Sequence, residues 1–451
     1  MASSVHRLLF SAVVLAAALG LSDWVFAQVS PPLNDQEAPG LVDSSAAGIA
    51  AAEPMPPEAA VQPYCVPDGF GCETLCLPEV SPCGDSARLW LRGQYLIWWT
   101  KGNPVPALVS TSPAGTSKEE AGVPGKLGFD VLFGDQSIAD EDRGGGYITL
   151  GYWLDEGRTL GLQVDWFLVG NDKSTGSFAA AWEAIPILAR PFYDADSGEP
   201  AAARVAFPEV MNGAISVDTS SELNSGDVLL RRTWRSGTRG RIDLLGGYRH
   251  FAFREDLTIA ESLKLTAAVG DWLQDTTQDS WDHFGTDNDF HGGEFGLNLE
   301  LYRACWSVNL LAKLALGNVR QELNIDGGTT MVTPPAGGRP STTYEARGGL
   351  LSQPTNIGRH RRNELAVLPE LDVNLHYHLT ERCSLTVGYT WLRLNRVLRT
   401  GDQIDTAVNS RQLFDIEHSR GPLNGAPRPA AVFRDTSLWA QGISFGVQLA
   451  R

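Results

Sequence analysis

Apolar and polar residues alternate with a period of two along much of the C-terminal half of the chain, over stretches longer than an ordinary strand. From Asn363 the odd positions read Leu365, Val367, Pro369, Leu371, Val373, Leu375 and Tyr377, and the even ones Glu364, Ala366, Leu368, Glu370, Asp372, Asn374, His376 and His378. A period of two puts successive side chains on opposite faces of a β-strand. After a turn at Leu379–Arg382 the chain returns as Cys383, Leu385, Val387, Tyr389 and Trp391, with Ser384, Thr386, Gly388 and Thr390 between them. A second pair runs through Phe295, Leu297, Leu299 and Leu301, turns at Arg303–Cys305, and comes back as Trp306, Val308, Leu310, Ala312, Leu314 and Leu316. Long hairpins that are apolar on one face only fit a membrane-spanning β-barrel.

The same alternation predicts strands at 87–101, 146–154, from Leu160 past Leu168, 227–235, 241–253 and 438–450, about ten in all. The strand at 227–235 is the least clear of them. Short connections near 155–157, 236–240, 303–305 and 379–382 alternate with long ones near 102–143, 171–222, 255–288, 321–360 and 399–436. Short periplasmic turns and long extracellular loops are the rule in outer-membrane barrels, and an even strand number places both barrel ends on one side. A β-sandwich also alternates, but its outward face is polar and its loops do not sort by length. The predicted fold is therefore all-β, a transmembrane up-and-down antiparallel barrel of ten to twelve strands. Trp98, Trp99, Trp153, Trp306 and Trp439, near strand ends, are expected in the interfacial aromatic girdles.

Upstream, residues 1–27 carry Arg7, an apolar run from Leu8 to Leu21, and Val25-Phe26-Ala27, which reads as a secretory signal peptide. Residues 28–63, rich in Pro, Ala, Glu and Ser, are expected to be a disordered linker. Residues 64–86 hold Cys65, Cys72, Cys76 and Cys83, and the barrel is expected to fill 87–451. In an exported chain these four cysteines are disulfide candidates. Structural zinc is the alternative, although its sites favour closer C-x2-4-C pairs. Cys305 and Cys383, at two short turns, are expected to stay unbridged.

Several stretches, in order, are similar to a planctomycete outer-membrane barrel family, the type-seven β-barrel porins. They are Leu89–Gly102, Gly151–Asp155, the series Phe284, Thr286, Asn288, Phe290, Gly292 and Gly293, then Arg361–Asn363 with Pro369–Glu370, Gly401–Asp405, and Phe433–Gly442. The resemblance implies an outer-membrane location and a barrel over 87–451, and it brings no substrate or catalytic residue. Outer-membrane strands usually finish on an aromatic residue that the insertion machinery reads; this sequence finishes Leu449-Ala450-Arg451.

The inward positions predict a mixed polar lumen: Arg92, Gln94, Gln163, Asp165, Arg241, Asp243, Arg249, Asn298, Glu300, Asn309, Lys313, Glu370, Asp372, Asn374 and His376. Opposite charges in so narrow a barrel are expected to pair as a plug, because a buried charge needs a partner. Ten strands enclose little more than the eight whose interior side chains fill, so a narrow pore or none is expected. His376 and His378 share a face with Asp372, which allows a metal reading, but lumen polarity alone explains them. Asp287, Asp289, His291 and Glu294, near His250, are the candidates for a general base in a barrel-borne hydrolase. No nucleophile elbow, zinc-protease motif or phosphate loop accompanies them.

The formal charge of −17 argues against a nucleic-acid partner. No cofactor is expected. The expected partners are outer-membrane lipid, the insertion machinery, and small solutes or an extracellular ligand. The expected function is porin-like passage of small solutes or a structural barrel with long extracellular loops. A non-conducting adhesive barrel is the alternative, and a hydrolase the more distant one.

Overall fold

The computed structural model describes residues 87–138, 142–179, 187–418 and 420–451. The signal-peptide, linker and four-cysteine assignments lie outside them. Among the described residues no helix is long and apolar enough to cross a membrane, an observation that leaves strand crossings open.

Ten long strands form the frame: β1 (Leu89–Thr100), β2 (Asp142–Trp153), β3 (Leu160–Ala179), β4 (Met211–Gly237), β5 (Gly240–Leu265), β6 (Thr277–Arg303), β7 (Trp306–Thr333), β8 (Gly358–Thr380), β9 (Cys383–Leu398) and β10 (Asp435–Ala450). Each pairs antiparallel with its neighbours in sequence, and β10 pairs with β1 from Trp90↔Ala450 to Thr100↔Ala440. The sheet is thereby closed into a ring where all ten pairings run, which satisfies the backbone polar groups there from within; beyond it β3 after Val169 and β8 before Glu370 are paired on one side only.

Parity assigns the two faces. Leu91, Ile148, Val164, Leu230, Leu244, Leu297, Leu314, Leu371, Val387 and Val447 point outward and are exposed, one from each strand in turn. Together they form an apolar belt. The residues between them, Arg92, Thr149, Asp165, Arg231, Asp243, Asn298, Lys313, Asp372, Thr386 and Ser444, are buried inside the ring.

Three expectations are corrected. First, Trp98 and Trp153 do not join an outer girdle. Both sit at inward parity and are buried: Trp98 packs on Phe167 with ring centroids 5.0 Å apart, and Trp153 on Trp90 at 5.2 Å. Trp306 does face outward, against Tyr377 at 4.7 Å. Second, strands continue far into the stretches read as loops. β4 to β7 run for 27, 26, 27 and 28 residues, so the supposed loops 255–288 and 321–360 are largely sheet. A membrane crossing uses about 9–11 tilted residues, which leaves some 16 per strand, roughly 50 Å of strand path, beyond the belt.

Third, the inner face is not polar throughout. In β5 the inward residues change from Asp243 and Arg249 to Phe251, Phe253, Leu257, Ile259 and Leu263, while the outward ones change from Leu244 and Tyr248 to Arg254 and Asp256. Polarity inverts with no change of register, because above the belt the outside meets water and the inside meets protein.

That inner protein comes from the long connections. Leu188–Asp194 pairs with Glu199–Ala206, with Val109–Thr111 and, in parallel, with Ala407–Val408. Leu108, Val109, Leu188, Phe192, Ile404, Val408 and Leu413 pack on the inner faces of the extended strands at Ile215, Val217, Ile259, Phe284, Leu323 and Ile325. Arg190, fully buried, ties this insert to the ring through Asp282 at 2.6 Å and Glu261 at 3.3 Å. The backbone N–H groups of Leu351 and Ser352 donate to the same Asp282 carboxylate at 3.1 and 2.7 Å.

Candidate functional site: a layered lumen

The interior is stacked in layers. At the short-turn end lies a cavity of about 440 Å³ whose lining includes Trp90, Arg92, Trp153, Gln163, Arg231, Arg241, Asn298, Glu300, Asn309 and His376. Above it is a charged layer. Arg249, 1% exposed, reaches Glu294 at 2.9 Å, Glu370 at 2.5 Å and Asp227 at 3.6 Å. Lys313, equally buried, reaches Glu370 at 2.8 Å, Asp227 at 2.9 Å and Asp165 at 3.8 Å. Side chains from β3, β4, β5, β6, β7 and β8 therefore converge on two cations. Asp372 takes a hydrogen bond from Thr390 at 2.5 Å in the same region.

An apolar layer follows, with Leu96, Trp98, Phe167, Leu223, Phe251, Phe290, Val319, Leu368, Leu392 and Leu438 all buried. Next, Arg399 grips Glu255 at 2.7 and 2.8 Å and donates to the Lys101 carbonyl at 2.8 Å. The loop insert closes the top. Among the described residues, the charged and apolar layers are occupied by buried side chains drawn from most strands of the ring.

All fifteen sequence-predicted lumen residues lie at inward positions and are buried or half-buried. They divide by depth. Asp165, Arg249, Lys313 and Glu370 build the charged layer, with Asp372 beside them. Gln94 bridges to Asn374 at 3.2 Å and Ser444 at 2.8 Å. Asp243 holds Arg241 at 2.7 Å and Arg231 at 2.6 Å, and Asn309 donates to Asn298 at 2.8 Å. Glu300 lines the cavity.

Sequence reasoning missed Asp227 and Arg231, both on the strand whose alternation was least clear; Val228 and Leu230, outward on either side of Leu229, carried the signal. It missed Trp153 as a cavity wall because that residue was read as girdle, and it did not single out Trp90, which shares the inward parity of Arg92.

The proposed chemical constellations come apart. His376 bonds Thr386 at 2.9 Å and His378 bonds Ser307 at 3.0 Å, and no metal-holding group of His, Cys, Asp and Glu occurs among the described residues. Glu294 faces the lumen and is held by Arg249, whereas His291 points outward, with Tyr248 at 2.5 Å from its Nδ1 and the His250 ring 4.8 Å away. Asp287 and Asp289 pair with exposed Arg254. The sheet thus separates the carboxylate of Glu294 from the histidines. Cys305 and Cys383 are free thiols.

A closed antiparallel ring with an outward apolar belt and short turns at one end defines the chain as an up-and-down β-barrel of the membrane type. It belongs to the family described as Putative beta barrel porin-7 (BBP7), which matches residues 90–450. No curated protein matches the sequence. Among solved structures it is similar to the outer membrane protease OmpT from Escherichia coli, at 9% identity and a TM-score of 0.37, covering 80% of this chain and 96% of that one. It is also similar to the P. putida toluene transporter TodX, at 8% identity and a TM-score of 0.19, covering 82% and 92%. A Pseudomonas aeruginosa FadL homologue gives 8% identity and 0.19, covering 80% and 90%. At such scores nothing about what those proteins bind or do is transferred to this one.

Proposed function

We propose that the protein is an outer-membrane barrel whose resting form is closed, a structural or partner-presenting barrel rather than an open pore, without a catalytic role. Its short turns face the periplasm, and the extended strands of β4 to β7 with their insert stand outside the cell. Its surroundings are outer-membrane lipid and, during assembly, the insertion machinery; the ligand of its outer face is an extracellular one.

The observation that carries this reading is the convergence of six strands on Arg249 and Lys313, with the apolar layer directly above. Ions crossing the barrel would have to break buried charge pairs and then pass a layer lined mainly by buried apolar side chains, and both steps are costly. Family membership supports a second reading, in which small solutes pass after the layers rearrange.

Planar-bilayer recording of the purified full chain separates the two. A silent wild type, in preparations shown to be folded and inserted, is expected. Reproducible unitary current from the wild type would refute the closed barrel.

A further inference from the structure

The cavity at the short-turn end has unused hydrogen-bonding capacity of one sign. Arg92 is 8% exposed and Asn298 is 2% exposed, and both line the cavity. The Arg92 Nη2 donates to Thr149 Oγ1 at 3.1 Å, but its Nε, though buried, has no partner in the protein. The Asn298 carbonyl oxygen accepts from Asn309, and its amide nitrogen is likewise buried without a partner. Both orphan atoms are donors. A buried donor left unpaired costs free energy, and both of these belong to side chains that line one cavity, which points to an acceptor as the ligand that would recruit them.

The charge around the cavity has the same sense. Arg92, Arg158, Arg231 and Arg241 line it, against Glu300 at its wall and Asp243 behind Arg231 and Arg241. That is four cations against two carboxylates. The walls also offer planar apolar area: Trp90 and Trp153 stand 5.2 Å apart, the Arg231 guanidinium lies 5.5 and 5.3 Å from their centroids, and that of Arg241 lies 3.9 Å from Trp153. A volume of about 440 Å³ falls within the range of small-molecule sites.

We infer that this cavity binds a small organic oxyanion, a carboxylate or phosphate attached to a ring or short apolar body. The oxyanion takes the Arg92 guanidinium and the Asn298 amide, whose orphan donors a small side-chain shift turns toward the cavity, and the body lies against Trp90 and Trp153. Access is from the short-turn end. That this end is periplasmic rests on the proposed outer-membrane orientation, whereas binding itself does not, so the two fail separately.

The test uses the purified full chain in detergent micelles and follows tryptophan fluorescence and titration calorimetry with benzoate, phenyl phosphate and inorganic phosphate. Benzamidine and benzyl alcohol, a cation and a neutral compound of similar shape, are the controls. Saturable binding of benzoate or phenyl phosphate, with benzamidine and benzyl alcohol much weaker, is expected. Inorganic phosphate binding as tightly as phenyl phosphate would remove the role given to the tryptophans.

Arg92→Met should weaken oxyanion binding about ten- to a hundredfold, the effect of losing a charge-assisted hydrogen bond. Asn298→Asp, nearly the same shape but with an acceptor in place of the donor, should do the same, and it keeps the test alive should Arg92→Met fail to fold. Absence of saturable oxyanion binding through the millimolar range overturns the inference. So do equal binding of benzamidine and affinities unchanged in both variants.

Discussion

Replacing Arg249 with methionine removes the most heavily used cation of the barrel interior while keeping most of its aliphatic bulk. The guanidinium is 1% exposed and serves Glu294 and Glu370 directly, with Asp227 at 3.6 Å and Ser225 Oγ at 3.1 Å. Without it, Glu370 and Asp227 keep only Lys313, and Glu294, whose one ion pair is with Arg249, is stranded at full burial. Breaking a buried pair from one side costs about 3–5 kcal/mol, because the abandoned charge stays desolvated. With a denaturant slope of about 2–3 kcal/mol/M, the urea midpoint should fall by roughly 1–2.5 M.

The assay is urea unfolding in lipid vesicles followed by tryptophan fluorescence, with Arg254→Met as the control. Arg254 pairs with Asp287 at 2.8 Å, but their side chains are 50% and 39% exposed, and an exposed pair is worth about 0–1 kcal/mol. Adding Glu294→Gln to Arg249→Met removes the stranded charge and should recover part of the loss, a coupling that a double-mutant cycle reads directly. Equal midpoint shifts for Arg249→Met and Arg254→Met, or no recovery in the double variant, would show that the charged layer does not hold the barrel together.

The outward belt is tested by Leu310→Arg, which should cost about 2–4 kcal/mol near the bilayer midplane and impair insertion, against the inward neighbour Asn309→Arg, which should be mild. Equal effects would sink the assignment of faces. In the turn between β2 and β3, backbone N–H groups of Leu160 and Thr159 hold the exposed Asp155 carboxyl down to about 2, below its ordinary 3.8. A depressed folded value means the turn's stabilisation is complete above about pH 4 and is lost as pH falls through about 2; a carboxyl NMR titration of Asp155 with a midpoint near 4 would contradict it. On intact cells, an impermeant maleimide should leave Cys305 and Cys383 unmodified and label them after lysis, whereas labelling from outside would reverse the orientation.

The ring was legible from sequence because the lipid belt and the lumen impose opposite polarity on alternate residues, so parity alone placed Arg249, Lys313 and Glu370 inside. Legibility ended where the solvent changes. In β5 beyond His250 the apolar residues Leu257, Ile259 and Leu263 are inward, and a reader who equates apolar with lipid-facing sees the alternation fail, although the strand continues. The insert that these residues pack against comes from distant connections, so its partnership with them is a tertiary fact with no local signal. The same holds for the cavity: parity shows that Arg92 and Asn298 face inward, but only the assembled ring shows that two of their donors have no partner.

The unbroken parity of the long strands constrains how such a sequence can change. The β5–β6, β6–β7 and β7–β8 pairings run without a register shift, over strands of 23 to 28 residues. A single residue gained or lost inside one of them would turn every side chain on one side of the lesion through the sheet, sending Arg249 toward lipid and Tyr248 into the charge network. Insertions are therefore admissible only in pairs, at a compensating bulge, or in the connections. Over evolutionary time the barrel wall should hold its length while the segments threaded inside its outer mouth drift in length and composition.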